Sequence, residues 1–434
     1  MIQNFTAFKL CGLSYQTALL IEAIALINFE VRGSNMRRTT MRLILLLAFS
    51  SRCTANDVEL RHESSIRFAT FNIQELSISK LQQVDSDGNG ANPQVKNCAE
   101  ILQRVRPDIV LINEIDAPST SDDGDIVNPA GNAARLFRDK YLTVSQRTLS
   151  PLEFPYLYIA TSNTGVPTGR DLDNDGKNDG PADSFGFGRY PGEYGMALLS
   201  RFPIQMDGIR AFRKLLWKNM PGNLMPDGSR GKPEFYDVDE CKLFRLSSKS
   251  HWDVPLLIHG HLVHALCSHP TPPVFDGPED SNGRRNFDEV RFWSDYVSGL
   301  DSADWICDDA GKSGGLKPGA DFVILGDLNA EPVRGDAVYG QRAIDLLIRH
   351  RLIFDPQPKS LGAEEQPNNY GLNGYLPFKT SEFGRLDYVL PSKSLHTVGS
   401  GVFWPSSKSP LYFLVDTPQS SSDHRLVWLD VEIP

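Results

Sequence analysis

The sequence predicts an α/β protein in which two mixed β-sheets pack together and helices cover their outer faces. Short apolar runs typical of buried strands outnumber the amphipathic helical segments along the 434-residue chain. A strand–helix–strand order occurs within residues 66–114, but this spacing is not regular throughout the chain. The irregularity argues against a doubly wound parallel sheet and favours two packed sheets.

The composition is that of a soluble globular protein. Apolar residues make up 40% of the chain and charged residues 23%, and the formal net charge is −10. Broad electrostatic binding of nucleic acid depends on basic patches, and no run in this sequence is basic enough to require duplex DNA. The negative charge does not exclude an enzyme that meets a phosphate through a metal ion.

Residues 1–55 form a leader that differs from the rest of the chain. Basic residues precede the apolar run 43–49, and small and polar residues follow it. This order predicts a secretory signal peptide that begins at Met36 or Met41 and directs export to the periplasm or the exterior. The apolar run is too short for a stable membrane span. Residues 1–35 are interpreted as translated upstream sequence or, alternatively, as an amphipathic anchor.

The predicted functional domain, residues 56–434, retains four widely spaced cysteines. Their spacing contains no C-x-x-C pair, which argues against a zinc site. In an exported protein they are compatible with one or two disulfides, whose pairing the sequence leaves open. The four are Cys98, Cys241, Cys267 and Cys307.

The most informative stretch of the chain is 321–330. Its apolar residues 322–325 predict a buried strand that ends on Gly326. Asp327 and Asn329 follow two residues apart, so in an extended segment their side chains lie on the same side. Such a pair is costly to bury without a function, although an Asx turn explains these residues equally well when they are taken alone.

Two strands near the start of the predicted domain also end on polar side chains. Residues 66–73 alternate like a strand and present Asn72, and the strand over 108–114 ends on Glu114. The segment 94–106 between them predicts an amphipathic helix bounded by prolines. Together these elements form a βαβ-like unit.

The loop-rich region 116–192 contains the acidic segment Asp171–Gly180. Its start follows the D-x-D-x-D-G order of an EF-hand calcium loop, but the twelfth position is Ala182 instead of the required Glu. The segment is therefore either a structural calcium site over Asp171–Asp179 or a solvated turn, and the missing Glu favours the turn.

Strands are also predicted over 194–200 and over the long apolar segment 255–268. His269 follows the second strand directly, and a proline-rich loop then leads to a helix that starts after Asn286. The segment 210–217 mixes basic and aromatic residues. It either faces an anionic substrate or forms a strand with a solvated basic side, and we favour the strand.

The last third of the chain adds a helix over 343–348 and strands over 386–390 and 425–433. Asp387 lies at the start of the first of these strands. The pair Asp423-His424 lies immediately before the second. Polar residues therefore stand at strand ends again, as in the earlier parts of the chain.

Taken together, these strand ends resemble those of the endonuclease/exonuclease/phosphatase superfamily, the deoxyribonuclease I-like proteins. Each motif alone is weak, but six in the same order over nearly all of the chain after the leader form a specific match. The acidic and proline-rich loops are not shared across the superfamily and indicate a secreted, bacterial-type subgroup. The matching stretches are Phe71-Asn72, the strand ending in Glu114, Ser268-His269, Gly326-Asp327-Leu328-Asn329, Arg385-Leu386-Asp387-Tyr388 and Ser422-Asp423-His424.

The resemblance implies a four-layer α/β/β/α sandwich and a phosphoesterase that needs a divalent metal, Mg²⁺ or Mn²⁺. It also implies the metal ligands. Glu114 is the best candidate, Asn72 contributes its carbonyl oxygen, and Asp423 completes the set. These residue types suit a hard cation, which takes oxygen ligands.

The catalytic roles are likewise implied by the resemblance. His424 activates water, and Asp387 holds its imidazole in position. Asp327 orients the water or shares the role of base, and Asn329 hydrogen-bonds the phosphate. His269 stabilises the charge that develops on the phosphate or protonates the leaving oxygen.

The expected reaction is hydrolysis of a phosphate ester, in the first place a phosphodiester of the nucleic-acid or phospholipid type. The alternative within the same fold is a phosphomonoesterase. A catalytically silent binding protein, stabilised by calcium at its acidic loops, is the alternative outside the enzyme class. The complete catalytic set favours the enzyme, and we expect a monomer without a stable membrane span.

Overall fold

Two mixed β-sheets, one of six strands and one of five, form the centre of the structure, as the sequence predicts. The predicted leader over residues 1–55, with its start sites at Met36 and Met41, lies outside the described residues. The computed structural model describes residues 64–118, 120–121, 125–126, 133–228, 235–335, 337–338, 340–367 and 375–434.

The elements are numbered in chain order. The strands are β1 (Ile66–Leu76), β2 (Ile109–Ile115), β3 (Thr120–Ser121), β4 (Asp125–Ile126), β5 (Tyr156–Tyr158), β6 (Gly195–Ser200), β7 (Arg210–Ala211), β8 (His251–Ile258), β9 (His261–Ser268), β10 (Asp321–Asp327), β11 (Ala337–Val338), β12 (Gln341–Arg342), β13 (Asp387–Pro391), β14 (His396–Val402) and β15 (Val427–Glu432). The α-helices are α1 (Ile78–Leu81), α2 (Pro93–Val105), α3 (Ala133–Phe137), α4 (Val238–Leu243), α5 (Ser281–Ser298), α6 (Asp345–Ile348) and α7 (Leu361–Glu364).

Each sheet is organised around one parallel pair of strands. The six-stranded sheet has the order β14-β15-β1-β2-β6-β5, in which β1 and β2 are parallel. The five-stranded sheet has the order β13-β10-β9-β8-β7, in which β9 and β10 are parallel. The carboxyl ends of parallel neighbours lie at the same edge of a sheet, where α/β proteins commonly bind their ligands.

The alternation of side chains along β10 shows how the layers are stacked. Val323 and Leu325 belong to the core shared with the six-stranded sheet, whereas Phe322 and Ile324 belong to a second core that includes residues of α5. On the other side, β1 and β2 are buried along nearly their whole length, and the apolar stripe of α2 packs into the first core. The layers are therefore helix, sheet, sheet and helix.

Helix α2 confirms its sequence prediction in detail. The side chain of Asn92 caps its start by accepting the backbone N–H of Val95, and Pro93 occupies the first turn. Arg106 adopts the left-handed conformation at its end, as is common after the last helical residue. The flanking prolines and the apolar period indicate nearly the same boundaries as the caps in the structure, which is why the sequence predicted them well.

Helix α5 begins at Ser281, whereas the sequence predicted that it starts after Asn286. Its first turns are polar yet buried, because their side chains bond to backbone carbonyls of neighbouring segments. Arg285 donates to the carbonyls of Leu246 and Phe185 at 3.0 and 2.5 Å. An apolar pattern cannot detect a helix face whose partners are carbonyl groups.

The prediction of one long strand over 255–268 is wrong. The segment forms a hairpin of β8 and β9, and the turn lies at His259 and Gly260, both with positive φ. The two strands carry apolar residues up to the turn, so the hydrophobic pattern alone does not mark the break. Gly260 was the one local signal.

The prediction of a strand with a solvated basic side over 210–217 is also wrong in its main part. The strand β7 covers Arg210–Ala211, and the side chains of Arg210 and Arg213 are buried. Arg210 Nε donates to Asp308 Oδ2 at 2.7 Å, and other nitrogens of its guanidinium donate to backbone carbonyls. The charge of Arg210 is therefore paired and hydrogen-bonded inside the fold and does not form a solvated basic side.

The cysteines and the described helices settle two smaller points. The four cysteines of the predicted domain form no disulfide with one another, and two of them are buried, so the pairings that the sequence allowed among them are not formed. Within the described residues, no helix combines the length and apolar character needed to cross a membrane.

Gly326 provides a stability test of the β9–β10 pairing. A Cβ at this position would lie 2.0 Å from the carbonyl oxygen of Ser268, which is backbone and cannot move aside cheaply. We expect Gly326→Ala to lower the free energy of unfolding by about 3 kcal/mol or more, measured by urea denaturation. In the control Gly319→Ala the Cβ meets no atom within 4 Å, so the loss is limited to about 1 kcal/mol from the left-handed backbone. Equal losses in both variants would mean that the Ser268 carbonyl does not restrict position 326.

Candidate active site

The topology brings the predicted site residues to one edge of the molecule. Asn72 and Glu114 lie near the carboxyl ends of the parallel strands β1 and β2, and His269 and Asp327 lie at those of β9 and β10. Asp387 begins β13, which runs antiparallel to β10, so it pairs with Asp327 in the strand register. Asp423 and His424 precede β15, which runs antiparallel to β1. Strand direction therefore explains why residues far apart in sequence meet.

Glu114 reaches the site because its strand is bulged. Its neighbour Asn113 faces the space between the sheets, where its Oδ1 accepts the backbone N–H of Asp327 at 3.4 Å. Regular alternation would send the next side chain to the opposite face. Instead the register of β2 shifts between Asn113 and Ile115, and Glu114 adopts a left-handed φ of 61°. The bulge turns its carboxylate towards Asn72.

The carboxamide of Asn72 joins carboxylates of the two sheets. Its Nδ2 donates to Glu114 Oε1 and to Asp327 Oδ2, each at 3.0 Å. Its Oδ1 accepts the backbone N–H of Gln74 at 3.0 Å. The fully buried amide therefore uses both hydrogens to hold the two carboxylates. The oxygen that the sequence assigned to a metal faces the backbone in this arrangement.

A strained segment of β1 holds the second oxygen of Glu114. Its Oε2 accepts the backbone N–H of Glu75 at 3.1 Å, and both Gln74 and Glu75 have left-handed φ values, of 50° and 55°. Arg189 and Tyr194 donate to Glu75 Oε1 at 2.9 and 3.2 Å. The loop that carries these two residues therefore fixes the peptide that positions Glu114.

His424 lies between two carboxylates. Its Nδ1 donates to Asp387 Oδ2 at 2.9 Å, and its Nε2 lies 3.6 Å from Asp327 Oδ2. Burial by itself lowers the pKa of His424, but the charges of Asp387 and Asp327 outweigh it and raise this pKa well above its usual value. The hydroxyl of Thr380 donates to the same oxygen of Asp387 at 2.7 Å, which fixes that carboxylate.

Asp327 is the centre of the polar cluster. Burial raises its pKa, and the charge of Asp387 raises it further, while the opposite charge of His424 lowers it. Its Oδ1 accepts the backbone N–H of Asn329 at 3.0 Å, and His269 Nε2 lies 3.7 Å from its Oδ2. A buried carboxylate with a raised pKa beside an imidazole suits proton transfer.

His269 is buried, and its surroundings favour the neutral ring. Burial lowers its pKa well below the usual value, and the positive charges of Lys249 and His424 lower it further. Its Nδ1 has no hydrogen-bond partner among the described residues. Buried polar atoms normally have a partner, so this nitrogen is available to a ligand.

Several residues that support the site were not predicted from the sequence. The Nδ2 of Asn329 donates to the carbonyl of Pro270 at 3.1 Å, and Asn286 donates to the carbonyl of Leu328 at 3.0 Å. The hydroxyl of Ser422 donates to the carbonyl of Asn72 at 2.7 Å and accepts the backbone N–H of His424. Ser422 stood within a matching motif. Asn286, Asn113 and Thr380 carried no local signal, whereas Asn329 was itself a predicted site residue.

The carboxylates of Glu114 and Asp423 fit a divalent cation. Both side chains are partly exposed. Burial raises the pKa of Glu114, and the nearby charge of Asp423 raises it further, against the lowering effect of its bond from Asn72. Two hard oxygen donors whose charges repel each other are stabilised by a shared cation such as Mg²⁺. The group of Asp327, Asp387 and His424 also has ligand atoms within 4.8 Å of one another, but His424 Nδ1 already donates to Asp387.

The sequence as a whole matches one family. The endonuclease/exonuclease/phosphatase family model matches residues 69–424. The chain belongs to this family. The matched range contains all eight predicted site residues, from Asn72 to His424, and members of the family are hydrolases that act on phosphate esters. Among curated proteins, none matches the sequence.

Solved structures of this family are similar to the chain. One is an endonuclease/exonuclease/phosphatase from Beutenbergia cavernae DSM 12333, with 16% identity, a TM-score of 0.46, and coverage of 86% of this chain and 72% of that chain. A family protein from Leptotrichia buccalis C-1013-b has 12% identity, a TM-score of 0.42, and coverage of 85% and 100%. The human Nocturnin catalytic domain with bound sulfate anion has 14% identity, a TM-score of 0.38, and coverage of 86% and 94%.

The acidic loop contains a second cluster of carboxylates. Asp171, Asp173 and Asp175 each offer an oxygen within 4.8 Å of the others. Their carboxylates also accept backbone N–H groups of Asp175 and Gly176 at 2.9 to 3.2 Å, as in an Asx turn. The loop thus has the bonding of a turn and the oxygen spacing of a cation site.

The hydrogen bond between His424 and Asp387 yields a testable prediction. We expect His424→Ala and Asp387→Asn each to lower kcat by about 10²-fold or more, because the first removes the imidazole and the second weakens its hold. The measurement is kcat with a phosphate ester substrate, together with circular dichroism to verify folding. The control is His264→Ala, which removes the separate pair of His264 Nδ1 and Asp253 Oδ1 at 2.6 Å. Wild-type kcat in the folded His424 variant would contradict the assignment.

Proposed function

We propose that this protein hydrolyses phosphodiesters with the help of a divalent metal ion. The observation that carries the proposal is the pair of hydrogen bonds by which Asn72 holds Glu114 of one sheet and Asp327 of the other. It places a carboxylate suited to a metal next to a carboxylate suited to proton transfer. Membership of the family supports a phosphate ester as the substrate.

The proposed metal ligands are Glu114, Asp423 and Asn72, and the proposed ion is Mg²⁺ or Mn²⁺. The Oδ1 of Asn72 accepts the N–H of Gln74 with one lone pair, and its second lone pair is the proposed ligand. Glu114 and Asp423 supply the negative charge, and a hard cation that retains several waters needs few protein ligands. When bound, the ion neutralises charge on the phosphate oxygens, including the charge that develops during the reaction. Arg189 and Tyr194 donate to the side chain of Glu75, and the backbone N–H of Glu75 donates to Glu114. These bonds keep the Glu114 carboxylate in place for this role.

Asp327 and His424 form the proposed base. Water attacks phosphorus, so that a new P–O bond forms while the bond to the leaving oxygen breaks. The proton of the water passes to Asp327 Oδ2, while the imidazole of His424, whose raised pKa keeps it charged, lies 3.6 Å away and stabilises the carboxylate. The leaving oxygen takes a proton from solvent. Asp387 bonds to the other ring nitrogen, which leaves Nε2 directed towards Asp327. Asp327 and His424 therefore act together on the water, as the resemblance implied for each of them.

Asn329 and His269 are the proposed hydrogen-bond donors to the phosphate. The backbone N–H of Asn329 donates to Asp327 Oδ1, and its Nδ2 donates to the carbonyl of Pro270. The lowered pKa of His269 keeps its ring neutral. Of the two roles expected for His269, hydrogen bonding to the phosphate is therefore favoured over donation of a proton to the leaving oxygen.

The charge of the site supports a diester over a monoester. Four carboxylates converge there: Glu114, Asp327, Asp387 and Asp423. A phosphomonoester carries about −1.5 to −2 charges near neutral pH, whereas a diester carries one. The diester meets less repulsion, so a nucleic acid or a phospholipid is the proposed substrate class.

Two further proposals concern the chain as a whole. We propose that residues 1–55 direct export to the periplasm or the exterior, and that residues 56–434 act there as a monomer. The leader pattern of the sequence supports the first statement. The position of the family match, which starts at residue 69, supports the domain assignment.

We also propose a structural calcium ion at the acidic loop, held by Asp171, Asp173 and Asp175. The convergence of three carboxylate oxygens from one short loop supports it, although the loop lacks the bidentate Glu of an EF-hand. The missing ligand implies weak binding, in the millimolar range known for extracellular calcium modules, about 10⁻⁴–10⁻³ M.

The function is tested with bis-p-nitrophenyl phosphate, p-nitrophenyl phosphate, plasmid DNA and sphingomyelin. We expect hydrolysis of the diester that depends on added Mg²⁺ or Mn²⁺ and stops with EDTA. Glu114→Gln should lower kcat by about 10²-fold and weaken metal binding measured by calorimetry. The control Glu100→Gln changes a carboxylate that bonds to Arg104 and Arg147, away from the site residues.

The other outcomes of this experiment are equally informative. Hydrolysis of the monoester alone would mean that the protein is a phosphomonoesterase and not a phosphodiesterase. No hydrolysis of any of the four substrates would favour the calcium-stabilised binding protein.

Calcium at the acidic loop is expected to affect stability and not turnover. At 5 mM Ca²⁺ the thermal midpoint should rise by about 2–4 °C, because an ion that binds the folded state stabilises it. The double variant Asp173→Asn, Asp175→Asn should lose this shift and keep the Mg²⁺-dependent kcat. An unchanged midpoint of the wild-type protein in Ca²⁺ would leave the loop as a solvated turn.

A further inference from the structure

Lys249 is buried, and none of the roles proposed above involves its positive charge. Only 7% of the residue is exposed to solvent. The ammonium makes one hydrogen bond within the described residues, from Nζ to the carbonyl oxygen of Pro270 at 3.4 Å, which is long for such a bond. An ammonium has three donors. Two of them therefore have no partner in the described part of the chain, a costly arrangement for a buried charge.

The strand register places Lys249 at the catalytic edge. In the antiparallel pair of β8 and β9, His251 stands opposite Ser268. Continuing this register by two residues brings Lys249 opposite Pro270, next to His269. The bond from Nζ to the Pro270 carbonyl agrees with this position.

The same carbonyl oxygen receives a second donor from the site. Asn329 Nδ2, the proposed phosphate ligand, donates to Pro270 O at 3.1 Å. The ammonium of Lys249 and the amide of Asn329 are therefore neighbours that share one acceptor. Burial lowers the pKa of Lys249, and the negative charges of Glu289, Glu114 and Asp327 act against this lowering. Next to burial, the positive charge of Lys249 also lowers the pKa of His269. The ammonium is thus close enough to interact electrostatically with Glu114 of the six-stranded sheet and with Asp327 of the five-stranded sheet.

A structural role for Lys249 would be to neutralise the buried carboxylate of Glu289. The carboxylate of Glu289, however, already accepts three hydrogen bonds from neutral donors. Its Oε1 accepts the N–H and the hydroxyl of Ser248 at 2.6 and 2.9 Å, and its Oε2 accepts the N–H of Thr271 at 2.6 Å. Lys249 donates to Pro270 and not to Glu289. Glu289 therefore has its hydrogen-bond partners without Lys249, and its hydrogen bonds do not explain why the ammonium lies at this position.

We propose that Lys249 is a third phosphate ligand, which donates from Nζ to a non-bridging oxygen of the substrate beside Asn329 and His269. This inference rests on the proposed function, because it assigns a further contact in the same site. The group recognised is a phosphate anion with at least one charged non-bridging oxygen. A charge-assisted bond to such an oxygen supplies the anionic partner that the ammonium lacks. It also sets a positive side chain against the carboxylates that would repel the substrate.

The test compares a charged substrate with an uncharged one. The variants are Lys249→Met, which keeps the volume and removes the charge, and Lys249→Arg, which keeps the charge. The substrates are a p-nitrophenyl phosphodiester and its methylphosphonate analogue, in which a methyl group replaces the charged oxygen. We expect Lys249→Met to lower kcat/KM for the diester by about 10²-fold, but for the methylphosphonate by about 3-fold or less. Lys249→Arg should restore most of the loss.

Inorganic phosphate supplies a measurement that does not need turnover. Calorimetric titration should show phosphate binding to the wild-type protein in Mg²⁺, weakened about 10-fold or more in Lys249→Met. If the wild-type protein hydrolyses no substrate but shows this difference, the proposed reaction fails and the phosphate contact stands. If the wild-type protein hydrolyses the diester while Lys249→Met binds phosphate equally well, the contact fails and the reaction stands.

The double variant Lys249→Met, Glu289→Gln separates contact from charge neutralisation. If Lys249 serves only to balance Glu289, removing both charges should restore stability and kcat/KM. We expect stability to recover only in part, because Glu289→Gln leaves one acceptor oxygen for the N–H groups of Ser248 and Thr271. We expect kcat/KM for the diester to remain low. Equal losses on the charged and the uncharged substrate, or recovery of kcat/KM in the double variant, would overturn the inference. Should Lys249→Met fail to fold, the double variant and Lys249→Arg carry the same comparison of substrates.

Discussion

The buried carboxamide of Asn72 is the contact on which the site depends. Its two N–H groups hold one carboxylate oxygen from each sheet, Glu114 Oε1 and Asp327 Oδ2, at equal distances of 3.0 Å. Without this donor, both carboxylates would be left with an unsatisfied oxygen in a poorly solvated place, which costs about 1–3 kcal/mol for each group and more when it is charged. The carboxamide is neutral, so it joins the two anions without cancelling the charge that a metal ion and a phosphate need. A lysine in its place would neutralise the centre, and an apolar residue would leave it unsatisfied.

The accumulation of carboxylates is a stability cost that the fold tolerates at one edge. Burial raises the pKa values of Glu114 and Asp327, which means that the surroundings disfavour their charged forms. The backbone contributes strain at the same place, since Gln74, Glu75 and Glu114 all have left-handed φ values. Clusters of strain and perturbed pKa values are typical of functional sites. A cation between Glu114 and Asp423 and a cationic side chain beside the phosphate would both relieve this excess of negative charge.

The parts of this structure that could be predicted are those with local causes. The strand β10 was predictable because four apolar residues lead to a glycine and then to Asp327 and Asn329, and α2 because its flanking prolines and its apolar period agree. The family resemblance then supplied the order in which strand ends meet. The hairpin of β8 and β9 was missed because the hydrophobic pattern does not change at its turn. Buried charges were missed because their partners are distant: Arg210 is stabilised by Asp308, 98 residues later, and Arg67 by Asp430, 363 residues later. No window of local sequence contains both members of such a pair.

The division of the site between two sheets makes the core between them part of the catalytic apparatus. Glu114 belongs to the six-stranded sheet and Asp327 to the five-stranded sheet, so their separation is set by how the sheets pack. Val323 and Leu325 fill that space from β10, and their strand ends two residues later in Asp327. Because cores are close-packed and transmit strain, a change of one methylene there shifts one sheet against the other. A shift of about 1 Å in catalytic geometry is enough to reduce rates 10²-fold. The packing of Val323 and Leu325 therefore contributes to the distance between the Glu114 and Asp327 carboxylates.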